Sequence, residues 1–191
     1  MKKIKGGVTA AKGFEAASAA AGIKYQGRTD MALVYSQKPC EAAGTFTTNV
    51  VKAAPVKWDK KVVESNAKPQ VIVINSGIAN ACTGDAGMEC CKEVAKEVTK
   101  VLETETESVL IGSTGVIGMQ LPVEKMKDGV HLLAKEKAEG LEMGNLAAKA
   151  IMTTDTKEKE AAVTIELDGT TVTIGGMAKG SGMIHPNMCT M

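Results

Sequence analysis

Three stretches combine glycine with small hydroxyl or amide residues in a way that could do chemistry: Asn75 through Gly84, Gly112-Ser113-Thr114-Gly115-Val116-Ile117-Gly118, and Gly175 through Ser181. Glycine-rich turns invite a phosphate reading, but the spacing does not support it. The glycines at 112, 115 and 118 fall three apart, not in the order of the dinucleotide fingerprint. In the third stretch Lys179 precedes Gly180, whereas a P-loop lysine follows its glycine to reach the β/γ-phosphates. What remains is a turn exposing backbone N–H groups beside a hydroxyl. Acyl transfer needs such donors, because its tetrahedral intermediate puts negative charge on one oxygen. Thr114 and Gly115 could supply one hydroxyl and one amide. A plain tight turn is the simpler reading of this string and of Asn75–Gly84, where Asn75 and Asn80 would satisfy local backbone.

A nucleophile is harder to find. No Ser-His-Asp set can be assembled, since His131 falls within a helical pattern and His185 adjoins Pro186 in the last loop. Glu103, Glu105 and Glu107 alternate with threonine and read as solvated. Cys40, Cys82, Cys90, Cys91 and Cys189 lack CxxC spacing, so no metal site is expected and the thiols read as reduced or buried. A threonine made N-terminal by cleavage would need no histidine, because its own α-amine can accept the hydroxyl proton.

The elements that would position these residues form an interleaved α/β pattern. Met31–Ser36, Val71–Ile74 and Ser108–Ile111 are short apolar runs suited to buried strands. Glu89–Leu102 has the clearest helical spacing, with further helices predicted from Pro122 to about Ala138 and from Gly140 to Met152. Ala162–Leu167 and Thr170–Ile174 flank Asp168-Gly169, a two-residue hairpin signal. The first thirty residues show weak periodicity and are expected to form an extended arm that could hold one strand. Residues 1–191 are expected to form one α/β domain.

Composition narrows the partners. In 191 residues, 23 Lys+Arg against 22 Asp+Glu leave a net charge of +1, with no bulk field to hold nucleic acid or an anionic membrane. One Trp, two Tyr and two Phe make aromatic base-stacking platforms improbable and leave the core to aliphatic and small residues. The start has no apolar signal region and no run is long enough to span a bilayer, so a cytoplasmic protein is expected. The last residues keep Met183, Ile184, Met188 and Met191 instead of decaying into a polar tail. That predicts the interior edge of a larger fold.

The string Lys179-Gly180-Ser181-Gly182-Met183-Ile184-His185-Pro186-Asn187-Met188-Cys189-Thr190-Met191 resembles the self-cleavage segment of the ornithine acetyltransferase (glutamate N-acetyltransferase, ArgJ) family. Asn75-Ser76-Gly77 through Gly84, Ser113 through Gly118, and Met152-Thr153-Thr154-Asp155-Thr156 join it in the family's order. The resemblance implies a sandwich of sheets flanked by helices, in two or four layers (DmpA/ArgJ-like), completed by a separate β chain. It implies a precursor cut between Cys189 and Thr190 within a segment spanning 175–191, with Thr190 as nucleophile, Thr114 and Gly115 as the oxyanion pair, and Thr153, Lys179 and Thr190 in contact with substrate. Cys189 stands where the family often has alanine. The implied reaction moves acetyl from N2-acetyl-L-ornithine to L-glutamate by a ping-pong cycle in arginine biosynthesis, without a cofactor, in an α2β2 heterotetramer. Acetyl-CoA is a second donor in the bifunctional members, and these residues do not decide that point. Two other readings of the same residues are an N-terminal-nucleophile amidohydrolase, with water as acceptor, and a non-catalytic small-molecule-binding module.

Overall fold

The computed structural model describes residues 1–182. Strands β1 (Lys2–Ile4), β2 (Phe14–Ala19), β3 (Met31–Ser36), β4 (Val71–Ile78), β5 (Val109–Val116), β6 (Lys159–Leu167) and β7 (Thr170–Ala178) alternate with helices α1 (Ala54–Glu64), α2 (Gly84–Leu102), α3 (Val123–Glu136) and α4 (Leu141–Ala150). One sheet has the order β2-β3-β4-β5, antiparallel except for the parallel pair β4–β5; the other has the order β1-β6-β7. The expected sheets flanked by helices are present.

The parallel pair follows from the amphipathic helix between its strands. A parallel connection needs a crossover, and α2 supplies it, burying Cys91, Val94, Ala95 and Val98. With Met126, Val130 and Leu133 of α3, these residues cover one face of the four-stranded sheet around Met31, Leu33, Val71, Val73 and Val109. Gly129, which weakens α3 on propensity, is required by packing: a Cβ there would lie 2.2 Å from Met31 Sδ. On the opposite face Ala147 and Ala150 of α4, with Ile151 just after it, pack against Ala16 and Ala32.

Several expectations are corrected. The first thirty residues are not an arm, since β1 and β2 are both paired and Ala16 and Ala17 are fully buried. Two adjacent buried alanines on opposite faces of a strand give no alternating pattern, which hides β2 from periodicity. Helix α1 had no sequence assignment; it opens at Pro55, buries Val62 and carries lysines on its outer side. Strands β4, β5 and β7 run through residues read as turns, to Ile78, Val116 and Ala178. Polar and glycine residues do not register as strand, yet Asn75 and Ser76 are buried with their side chains bonded. Asp168 and Gly169 both have positive φ, as the predicted hairpin turn requires.

Candidate functional site

Three chain segments meet where β4 and β5 end. The register pairs Ser76 with Thr114 and Gly77 with Gly115. The Ser76 hydroxyl donates to the Ala150 carbonyl at 2.7 Å, tying the end of α4 to this sheet and bringing Met152–Asp155 alongside Thr114. Arg28 reaches the Met152 carbonyl from the β2–β3 loop. Lys179, directly after β7, completes the meeting.

Lys179 Nζ donates to Thr114 Oγ1 at 3.0 Å and to Thr153 Oγ1 at 2.7 Å, and lies 4.0 Å from Asp155 Oδ2. An ammonium has three donors and no acceptor, so two of the three are spent on the threonine oxygens, while Asp155 at 4.0 Å is an ion-pair neighbour. A hydroxyl that accepts an ammonium proton must aim its own hydrogen elsewhere. The Thr114 and Thr153 O–H groups are therefore oriented as donors, and both line a cavity of about 560 Å³ together with Gly115, Lys24, Arg28 and Lys179.

Asp155 holds the arrangement from below. Its side chain is fully buried and accepts from Lys159 Nζ at 2.7 Å, Gly180 N at 2.6 Å and Thr153 N at 3.2 Å. The Lys159 bond, together with the main-chain bond from Gly180, holds its carboxyl well below the usual carboxylate range. An ionised Asp155 thus fixes both the Thr153 backbone and the turn that carries Lys179.

Gly115 is fixed by close approach. It has φ +136°, and a Cβ would lie 2.2 Å from the Gly77 carbonyl carbon. On the outer edge of β5, Trp58 Nε1 donates to the Val109 carbonyl at 2.9 Å and Asp59 Oδ1 accepts from Ile111 N at 2.8 Å. Main-chain groups alternate sides along a strand, so those of Ser113 and Gly115 face the same outer edge, beyond the reach of α1. Asp59 itself is pushed up to about 7 by burial, against the opposing Ile111 N–H bond.

The structure brings Thr114, Gly115, Thr153 and Lys179 together on one cavity. Cys189 and Thr190 lie outside the described residues, as does His185. His131 is exposed on α3, bonds Glu97 at 2.8 Å and does not line this cavity. Burial raises the Cys90 thiol to about 11 and the Cys91 thiol to about 12, which keeps both protonated and inert. Among the described residues no cluster of His, Cys, Asp or Glu could hold a metal, and no helix is long and apolar enough to cross a membrane. Sequence reasoning gave no role to Asp155, although it stood inside a quoted motif, nor to Ser76, Lys24 and Arg28. Lys24 and Arg28 carried no sequence signal beyond two cations in a glycine-containing loop.

A family model described as the ArgJ family matches residues 15–191. The arginine biosynthesis bifunctional protein ArgJ of Gloeobacter violaceus is 48% identical over 188 residues, covering 98% of this chain and 46% of the relative. Its counterpart in Symbiobacterium thermophilum is 50% identical over 193 residues, covering 100% and 47%. The chain spans about half the length of the curated relatives it matches. Among solved structures, the arginine biosynthesis bifunctional protein of Bacillus halodurans superposes with a TM-score of 0.92 at 38% identity, covering 97% of this chain and 96% of that one. The ornithine acetyltransferase of Mycobacterium tuberculosis, solved as a complex with ornithine, superposes at 0.88 with 45% identity and 95% coverage of each chain.

Proposed function

The chain belongs to the ArgJ family, and from that premise we propose that it is the α portion of a self-cleaving glutamate N-acetyltransferase acting in arginine biosynthesis. Residues 1–191 form its single α/β domain, and a β chain from the same precursor completes the fold, in an α2β2 assembly in the cytoplasm. Support for a covering partner comes from the open face of the four-stranded sheet. There a trough of about 900 Å³ between the two sheets is lined by Ile72, Ile74, Ile151 and Met177, and Ile72 remains 39% exposed.

Thr190 Oγ attacks the Cys189 carbonyl carbon, the amide nitrogen leaves as the Thr190 amine, and water hydrolyses the resulting ester. The freed hydroxyl then attacks the acetyl carbonyl of N2-acetyl-L-ornithine, with its proton passing through the α-amine to the departing ornithine nitrogen. The developing oxyanion is held by the Thr114 hydroxyl and the Gly115 amide, and Thr153 and Lys179 contact the substrate beside it. Glutamate's amine takes the acetyl group from Thr190 in the second half-reaction, and acetyl-CoA is a further donor to the same threonine.

The observation that carries this reading is the Lys179 ammonium donating to both threonine hydroxyls at the cavity wall, which leaves Thr114 a donor. The test is acetyl release from N2-acetyl-L-ornithine by the complete processed protein, with and without glutamate, ornithine and acetyl-CoA. Glutamate-dependent release supports the reading. Release at the same rate without any acceptor would make the protein a hydrolase.

A further inference from the structure

The cavity holds cations besides Lys179. Two of the three Lys179 donors are spent on Thr114 and Thr153, and its charge is offset by Asp155 at 4.0 Å. Two other cations line the same cavity, Lys24 and Arg28, and no carboxylate does so among the described residues. Asp155 lies beneath it with its oxygens taken by Lys159, Gly180 N and Thr153 N. The net field at the mouth is positive, which selects for an anionic group.

Lys24 and Arg28 sit on a loop with fixed ends. The buried Asp30 carboxylate accepts from Ala21 N at 2.8 Å and Ile23 N at 2.6 Å, and Lys125 Nζ donates to the Gly22 carbonyl at 2.8 Å. Arg28 is anchored at the Met152 carbonyl, which uses one of its five donors. The Lys24 stem crosses the place where Gly77 lacks a side chain: a Cβ on Gly77 would lie 3.1 Å from Lys24 Cβ. Since Gly77 pairs with Gly115, that stem runs beside the strand end bearing the acyl-transfer donors. Among the described residues the Lys24 ammonium pairs with no carboxylate; it lies 4.8 Å from the Tyr25 ring centroid and beside the Tyr25 hydroxyl, neutral partners that a carboxylate would outcompete.

We propose that Lys24, supported by Arg28, forms a carboxylate-binding subsite at the mouth of this cavity and takes the α-carboxylate of the acylated amino acid while its acyl carbonyl faces Thr114 and Gly115. This rests on the acyl-transfer reading for which ligand is bound, and it adds how an amino acid is told from an amine lacking the carboxylate. Lys179, its charge offset by Asp155, is then a second contact at the reacting end.

Binding separates the two ideas. Dissociation constants of N2-acetyl-L-ornithine and of its α-carboxamide are measured by calorimetry on the complete protein, unaltered and as Lys24→Met and Lys24→Arg. Acetyl transfer is assayed separately on the same samples. The unaltered protein should prefer the acid; Lys24→Met should cut that preference roughly three- to tenfold, and Lys24→Arg should keep most of it. An unaltered protein without preference, or a Lys24→Met protein that weakens acid and amide equally, overturns the subsite. A preference that Lys24→Met removes, in a protein with no acetyl transfer, supports the subsite and instead overturns the acetyltransferase reading.

Discussion

Two hydroxyls stand side by side at the end of the parallel pair, Ser76 on β4 and Thr114 on β5, and their surroundings differ completely. Ser76 is 1% exposed and donates to the Ala150 carbonyl, so its proton is consumed by the fold. Thr114 is half-buried on a cavity wall and accepts from an ammonium, so its proton is turned outward. The same chemical group is consumed by the fold in one register position and turned toward the cavity in its neighbour. The difference lies in what approaches each: a helix end for Ser76, a lysine braced by a buried carboxylate for Thr114.

Substitutions can break this contrast. Thr114→Ala should lower acetyl transfer by about 10²–10³ while leaving thermal stability nearly unchanged, as expected for loss of one oxyanion donor. Unchanged turnover would reduce Thr114 to a strand residue. Next in size, Lys179→Met should free the Thr114 and Thr153 hydroxyls to rotate and cost roughly ten- to a hundredfold in kcat, read from saturating acetyl-transfer kinetics. Ser76→Ala should do the reverse of Thr114→Ala: it leaves the Ala150 carbonyl without its buried donor, costing about 1–3 kcal/mol in denaturant unfolding. A large kcat loss without a stability loss in Ser76→Ala would erase the distinction between the two hydroxyls.

The smallest effect concerns the outer edge of the strand that bears Thr114. Asp59, held near 7 against an ordinary value of 3.8, keeps its proton in the folded state after the unfolded chain has lost it. Its contribution is fully present below about pH 4 and is lost as pH rises through about 7. Asp59→Asn keeps an acceptor for Ile111 N–H and removes the titration. Its advantage in unfolding free energy should therefore grow between pH 4 and 7, by about 1–2 kcal/mol once water reaching the trough is allowed for, as read by denaturant unfolding across that range. A constant difference across that range would show that Asp59 ionises normally.

What could be read from the sequence follows from how each element is stabilised. Helix α2 announced itself because a single apolar stripe meets one sheet face, and the β6–β7 hairpin because Asp168-Gly169 suits positive φ. β2 was invisible because its alanines are buried on both faces, and the ends of β4 and β5 because polar side chains there are satisfied by partners distant in sequence, such as Ala150 for Ser76. At the site, Thr114, Gly115, Thr153 and Lys179 could be named from ordered motifs, and they do line one cavity. The roles of Asp155, Lys24 and Arg28 depend on three loops converging, which no local pattern encodes.

The central claim is that the bond between Cys189 and Thr190 breaks to release the nucleophile, and intact-mass measurement of the complete precursor after expression tests it most directly. The account predicts two fragments, one beginning at Thr190, and a single uncut polypeptide for Thr190→Ala. A precursor that stays in one piece yet transfers acetyl at full rate would contradict it.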